Sequence, residues 1–399
     1  MDLNEVISSL YGGDGVTLED NPFFSHRADF TNDSLDQLEM LSETISSITQ
    51  PSISSVSVLT YEFDPVLDEF VPSTAPQSLG PPMTESPKTG GKGVLSFGLA
   101  FSHTKFTKLD GQDLSDLYVD LSHRELEPGR LTCLAPGFPN PAPPNCYRFI
   151  DDVVRLNLDL KIKNQFIWFS TNYGLSENLD IGFHIPLLHT QLSISSEASI
   201  INDPSIVYSP FGSVHAFDPV NEDPPDSSAS GSHTGFGDLV LQLKHSFHHG
   251  DRLDLASFYQ LRLPTGDTDN LQGIHGVGGS LMLLSSATYP LQRGALIPYF
   301  NFGIEINGSN NGQEEFIFDL GLEYDMFVGG KLFSAYIDLI GSNTISNKMG
   351  SGDNKYDLGL GIKYAVSNRG VVFANLIFPI NDSGLRPNLT YIVGLTWTR

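Results

Sequence analysis

Cysteine, tryptophan and basic side chains are scarce in this 399-residue chain: two Cys, two Trp, and 22 Lys plus Arg. The cysteines, Cys133 and Cys146, bracket 133-CLAPGFPNPAPPNC-146. Pro, Gly and Asn in the spacer exclude a helix or a central strand. A zinc site would need more ligands nearby. Two cysteines closing a short exposed loop predict a disulfide, worth about 3 kcal/mol in the chain-entropy model, and an oxidising compartment. Two free thiols are the alternative. The bases are outnumbered by 47 acids, for a formal charge of -25. That balance argues against nucleic acid or an anionic membrane surface as partner. It serves solubility, and no EF-hand-like spacing marks a divalent-cation site. Charged residues are only 17% of the chain, against roughly 25% in soluble domains. Yet no window offers about 18 consecutive apolar residues, so no transmembrane helix is expected.

Chemistry-bearing motifs are also missing. There is no G-x-S-x-G, no P-loop and no H-E-x-x-H, and the eleven histidines do not cluster at metal spacing. The run 276-GVGG-279 sits in a strand pattern, so it reads as close backbone packing, not phosphate binding. His248 and His249 read as solvated turn residues. No enzyme, cofactor or metal is expected. The N-terminus, MDLNEVISSLYGGDG, lacks a basic n-region and an apolar h-region. The expectation is a mature exported chain with its signal peptide absent.

What is present is alternation. In 154-VRLNLDLKI-162, Val154, Leu156, Leu158, Leu160 and Ile162 share one parity, and Arg155, Asn157, Asp159 and Lys161 the other. A strand sends these sets to opposite faces. From residue 92 the period stays at two. Phe97, Leu99 and Phe101 alternate with Ser96, Gly98 and Ala100; Ile181 and Phe183 with Asp180, Gly182 and His184; Phe316, Phe318 and Leu320 with Asp319 and Gly321. Tight turns at 174–178, 248–251, 290–293, 328–331 and 366–369 alternate with longer polar loops at 196–234, 265–275, 307–313, 342–354 and 381–387. Short turns on one side and long loops on the other are the asymmetry of an outer-membrane barrel. The reading is all-β: a transmembrane antiparallel β-barrel of about twelve strands over 91–399. Fourteen remain open if 109–149 or 196–234 hides another. The apolar parity changes near 163–165, which predicts one long strand with a bulge there. On that reading the 154–162 apolar row faces lipid.

Residues 1–90 are a partly helical N-terminal segment, taken as a plug or periplasmic piece. The helix is expected over Thr31–Ile48, where Leu35, Leu38, Leu41, Ile45 and Ile48 are spaced by three and four. The side chains expected to line the lumen are Arg155, Asp159, Lys161, Asp180, His184, Asp238, Lys244, Asp254, Arg262, Glu305, Asp319, Glu323, Asp325, Asp338, Asp357 and Lys363. Their acid excess would favour cations or neutral solutes in an open pore. Equally, the charges could pair and fill the lumen.

Three stretches, 174-GLSENLDIGFHIPLL-188, 235-GFGDLVLQLKHSF-247 and 261-LRLPTGD-267, resemble a family of bacterial outer-membrane proteins named for the phenol meta-cleavage pathway. Residues 79-LGPPMTE-85 and 92-KGVLSFGLAFS-102 resemble that family's approach to its first strand. The likeness covers about 75–399. The family is similar in outline to long-chain fatty-acid channels, whose barrels hold an N-terminal hatch. The resemblance implies a channel in the outer membrane of a Gram-negative bacterium, and with no extra apolar stripe to mark an interface a monomer is expected. Its partners would be the lipid bilayer and a small hydrophobic or aromatic solute taken up passively. A non-transporting structural or adhesion barrel is the alternative, and a soluble β-sandwich or barrel enzyme a more distant one.

Overall fold

The computed structural model describes residues 2–11, 16–18, 30, 36, 38, 61–64, 69–72, 84–122, 153–201, 217, 226–250, 252–274, 276–308, 313–347 and 354–399. Cys133 and Cys146 lie outside the described residues. So does the helix expected over 31–48, apart from Asp36 and Leu38.

Among the described residues the first element is a short helix, α1 (Leu3–Ser8). Two paired strands follow, β1 (Tyr61–Asp64) and β2 (Glu69–Pro72). Next come β3 (Leu95–Leu109), β4 (Gln112–Asp113), β5 (Leu117–Ser122), β6 (Val153–Ser176), β7 (Leu179–Ile201), β8 (Asp226–Phe236) and β9 (Leu239–His249). The remainder are β10 (Leu253–Leu263), β11 (Gly278–Ala287), β12 (Tyr289–Leu291), β13 (Gly294–Asn307), β14 (Gln313–Val328), β15 (Lys331–Asn347), β16 (Lys355–Ala365), β17 (Gly370–Pro379) and β18 (Leu385–Thr398).

Twelve of these close into an antiparallel barrel. The order runs β3-β18-β17-β16-β15-β14-β13-β11-β10-β9-β7-β6, and β6 pairs back onto β3. Closure removes the unpaired strand edges that an open sheet would expose. The twelve are the strands that the alternation predicts, and the architecture resembles outer-membrane barrels. β5 and β8 are additional strands within the expected loops 109–149 and 196–234. They pair with β6 and β7 without adding to the closed ring.

The chain divides into two compact units. One comprises Thr49–Gly111, Lys163–Thr190 and His233–Arg399, and holds the closed ring. Its apolar rows are exposed, with Phe97, Ile181, Phe300, Leu322, Ile362 and Val393 all more than 40% accessible. Its polar rows are buried, including Asp180, Lys244, Glu323 and Lys363. This inverts the soluble-protein pattern.

The other unit comprises Met1–Ile48, Gln112–Ile162 and Gln191–Ser232. Here the pattern is of the ordinary kind. Val154, Leu156, Leu158, Leu160 and Ile162 are buried, as are Leu192, Ile194, Leu117 and Leu121. Leu3, Val6 and Ile7 of α1 are buried as well. Tyr11 pins the segment after α1: its hydroxyl lies 2.7 Å from Ser196 Oγ and its amide donates to Ser227 Oγ. Burial pushes the Tyr11 hydroxyl up to about 12, against the opposing effect of the Ser196 hydrogen bond.

Two expectations are therefore corrected. Arg155, Asp159 and Lys161 do not line a lumen, and the apolar row opposite them does not face lipid. Even-numbered residues are buried along β6 from Val154 through Ser170 without interruption. There is no change of parity at 163–165. What changes is the chemistry of each face. The exposed face carries Arg155, Asp159, Lys161 and Lys163, then Ile167, Phe169 and Tyr173. A switch from charged to apolar on one unbroken face mimics a bulge in the sequence. The displaced charges pair on the surface. Arg155 forks onto Asp120 at 2.6 and 2.7 Å and sits 4.4 Å from the Tyr118 ring centroid. Lys161 Nζ lies 2.5 Å from Asp159.

The corrected orientation predicts that Leu158→Asp destabilises by about 3 kcal/mol or more, because it buries an unpaired charge. Asp159→Leu should stay within about 0.5 kcal/mol, as surface substitutions do. Urea titration of both variants separates the two orientations. A second consequence concerns acid. The hydrogen bond from Arg155 holds the Asp120 carboxyl below its usual range. A depressed carboxylate contributes stability above its unfolded value, and that contribution is lost as pH falls through the folded one. The loss should be small because the pair is exposed. Asp120→Asn should abolish it in an acid titration.

Candidate functional site: the barrel lumen

Alternation forces the even or odd set of each barrel strand inward, so the lumen is written by the polar rows. Asp180 and His184 come from β7, Lys244 from β9, Asp254 and Arg262 from β10, and Glu305 from β13. β14 supplies Asp319, Glu323 and Asp325, β15 Asp338, and β16 Asp357 and Lys363. Each of these falls on the parity opposite the exposed apolar row of its strand. Asp238 is buried too, but at the junction between β8 and β9.

At the tight-turn side these groups do not stand in an open pore. Residues 84–91, just before β3, lie against them. Lys244 Nζ donates to Glu85 Oε1 at 2.5 Å and to the Ser86 carbonyl at 3.0 Å. The Gly90 amide donates to Asp180 Oδ2 at 2.8 Å, and Asn172 donates to the same oxygen at 3.0 Å. Thr84 donates to Asp338 at 3.2 Å, and Asn301 Nδ2 to the Glu85 carbonyl at 2.7 Å. Lys88 Nζ lies 3.9 Å from Asp254, which also meets His249 Nδ1 at 2.6 Å. The segment thus reaches β7, β9, β10, β13 and β15, which it can do only from inside the ring. A cavity of about 20 Å³ remains among Ser96, Asn172, Asp180, His184, Gln242 and Lys244. That is room for roughly one water.

Other inward groups pair with one another. Tyr299 donates to Glu323 Oε2 at 2.7 Å, Ser334 donates to Asp325, and His184 Nε2 lies 2.5 Å from Gln242 Oε1. Arg386 closes on Asp357 at 2.9 Å and on the Tyr356 carbonyl at 2.7 Å. Paired and hydrogen-bonded charge is the form in which buried charge persists.

A second part of the lumen is apolar. Phe166 and Trp168 of β6 fall on the inward parity and stack with centroids 5.8 Å apart. Ala100, Leu188 and Ile392 pack with them, and Phe373 and Ile377 abut the group. This inward aromatic wall escapes the sequence reading, which sends only polar rows inward. The available signal is 166-FIWFS-170, apolar on both parities.

A third part is the loop between β10 and β11. Asp238 accepts from the Gly266 amide through Oδ1 and from the Ile274 amide through Oδ2, each at 2.9 Å. Asp238 is therefore a structural tie rather than a free lumen-lining group.

The family described as "Putative MetA-pathway of phenol degradation" matches residues 152–385, more than half of the chain. The chain belongs to this family. Three of the stretches that carried the resemblance, 174–188, 235–247 and 261–267, lie within that match, at the Gly174 seam, the Asp238 junction and the β10 end; 79–85 and 92–102 lie before it. Solved barrels align at lower similarity. The β-domain of the Bordetella autotransporter BrkA is 10% identical with a TM-score of 0.38, over 77% of this chain and 99% of that one. A FadL homologue from Pseudomonas aeruginosa is 11% identical with a TM-score of 0.29, over 77% and 89%. The monoaromatic hydrocarbon channel CymD is 10% identical with a TM-score of 0.33, over 77% and 88%. No curated protein matches the chain.

Proposed function

We propose that this member of the phenol-degradation family is an outer-membrane channel for passive uptake of small hydrophobic or aromatic compounds, closed at rest by residues 84–91 as part of an N-terminal plug. One observation carries the membrane placement. The outward parity of β6 is apolar from Ile167 to Leu175 apart from Thr171, and that of β7 from Leu179 to Leu187, nine residues each. Beyond them the same faces turn polar, at Gln165 and at His189. About nine to eleven residues is what a tilted strand needs to cross hydrocarbon. The adjoining strands repeat the exposed apolar rows.

Two features support transport. The plug residues are held by hydrogen bonds and ion pairs, all reversible, rather than being continuous with the barrel's own ladder. The inward Phe166–Trp168 wall offers an aromatic solute a surface that it would not find in a uniformly polar lumen. A non-transporting barrel is the competing reading, and the filled tight-turn side favours it. Trp168 provides the test. With Trp397 replaced by Phe, its fluorescence should change saturably with toluene or phenol added to the protein in detergent. A response no larger than that of free indole, in a folded protein, would favour the non-transporting barrel.

A further inference from the structure

The loop between β10 and β11 stands out among the described connections of the barrel. It folds inward. Asn270, Leu271, Gln272 and Ile274 are all buried. Gln272 Nε2 donates to the carbonyls of His233 at 3.2 Å and Leu188 at 3.4 Å, and its Oε1 lies 3.1 Å from His233 Nδ1. Leu188 shares the inward parity of Asp180 and His184, and it belongs to the aromatic wall. The loop therefore lies against β7 and β8 at Leu188, a residue whose side chain packs with Phe166 and Trp168.

Its shape is fixed from three sides. Asp267 Oδ1 accepts from the Asp269 and Asn270 amides, and its carbonyl accepts from the Gln272 amide at 2.8 Å, closing a compact turn. Thr265 Oγ1 accepts from the Leu239 amide at 2.9 Å. Asp238 then ties the two stems together through Gly266 and Ile274. Adjacent Gly237 and Asp238 are both buried, so the inward parity passes from odd in β8 to even in β9. That shift is what turns the Asp238 carboxylate towards the loop. The stems touch: a Cβ on Gly266 would fall 2.2 Å from the Gln272 carbonyl oxygen. Leu271, a non-glycine residue, is held at φ +59° while buried. Strain of this kind persists only where surroundings over-determine it, and it clusters at functional clamps. The stretches 235-GFGD-238 and 264-PTGD-267 thus meet in one structure.

We infer that residues 264–274 form a fixed inner constriction, held in place by Asp238, that sets the width of aromatic solute able to pass along the Phe166–Trp168 wall. Asp238 is a positioning residue in this scheme and Asp267 sets the loop's own turn. The inference rests on the channel reading for its solute and on geometry alone for its loop.

The test uses the full chain as wild type, Asp238→Asn and Asp238→Ala, each checked for the folded, heat-modifiable barrel on a gel. Two readouts are taken. One is uptake into proteoliposomes of a one-ring aromatic and a wider, three-ring aromatic. The other is hydrogen exchange of the 264–274 peptide in detergent. Asp238→Ala should raise the ratio of wide to narrow uptake at least tenfold and remove the loop's protection. Asp238→Asn, which keeps one acceptor oxygen, should fall between. An unchanged ratio with lost protection would overturn the constriction, and unchanged protection would overturn the tie. If no variant takes up either solute, the channel reading fails and the selective role fails with it. The exchange data then decide on their own whether Asp238 holds the loop.

Discussion

Lys244→Met should release residues 84–91 from the barrel while leaving the twelve-stranded ring folded. Lys244 and Glu85 form an ion pair whose side chains are only 6% and 9% accessible. Removing one partner of a buried pair costs about 3–5 kcal/mol, because the other charge is left without compensation. The barrel need not absorb that cost. Glu85 sits on a segment that can move to water, whereas Lys244 sits on β9, bonded on both sides. The remaining ties of the segment include single hydrogen bonds from Thr84, Thr89, Gly90 and Asn301, together with the longer Lys88–Asp254 pair. Hydrogen bonds of this type contribute about 0.5–1.5 kcal/mol net each, so they do not hold an uncompensated Glu85 in place. Hydrogen exchange should show the 84–91 peptide losing protection while peptides from β14 and β15 keep theirs. The swap Lys244→Glu with Glu85→Lys should restore much of the protection. Global loss of protection in Lys244→Met would mean that the segment is part of the barrel's core and no plug.

Gly174→Ala should do the opposite: it should damage the ring itself. A Cβ on Gly174 would fall 1.8 Å from the Gly91 carbonyl oxygen, a backbone atom. Gly174 also sits at the β3–β6 closure. Its carbonyl accepts from Gly93 at 2.8 Å and its amide donates to Val94 at 2.9 Å. One methyl group therefore opposes the seam that makes the barrel a barrel. Overpacking typically costs about 1–3 kcal/mol and occasionally more. A clash with backbone at a closure should lie at or beyond the upper end, about 3 kcal/mol. Gly329 makes the control. Its φ is +60°, but a Cβ there meets nothing within 4 Å. Gly329→Ala should cost only the left-handed strain, about 1–2 kcal/mol. Refolding yield and urea midpoint should rank the two variants in that order.

Much of the ring is legible in the sequence because a strand's period is two and cannot drift. Rows such as Phe97–Leu99–Phe101 and Ile181–Phe183 keep their parity from end to end, and tight turns alternate with longer loops between the strands. The stretch 154-VRLNLDLKI-162 is misread for the same reason that the others are read correctly. Alternation says that two faces differ, but not which is buried. In the ring the apolar face is exposed. In the unit holding α1 the apolar row is buried, as are Leu3, Val6 and Ile7. That unit is assembled from three separate stretches of the chain, and no local pattern announces them. Phe166 and Trp168 are hidden by the opposite effect, being apolar residues on the inward parity. That the polar residues from Asp180 to Lys363 share the parity opposite the exposed apolar rows follows from alternation alone. Their pairing does not, because Glu85, Thr84 and Gly90 belong to a segment with no periodicity. Asp238 is recognisable as a residue of a recurrent Gly-Asp stretch, and its two amide partners become visible only when the loop is folded back onto it.

The account's central claim is that the ring is a channel closed from within by the chain's own N-terminal segment. Single-channel conductance in a planar bilayer tests it most directly, with the full chain compared against a chain lacking residues 1–90. The account predicts that the full chain inserts and is silent or gives small, rare steps, and that the shortened chain gives larger, persistent ones. Insertion of the shortened chain with no gain in current would contradict it.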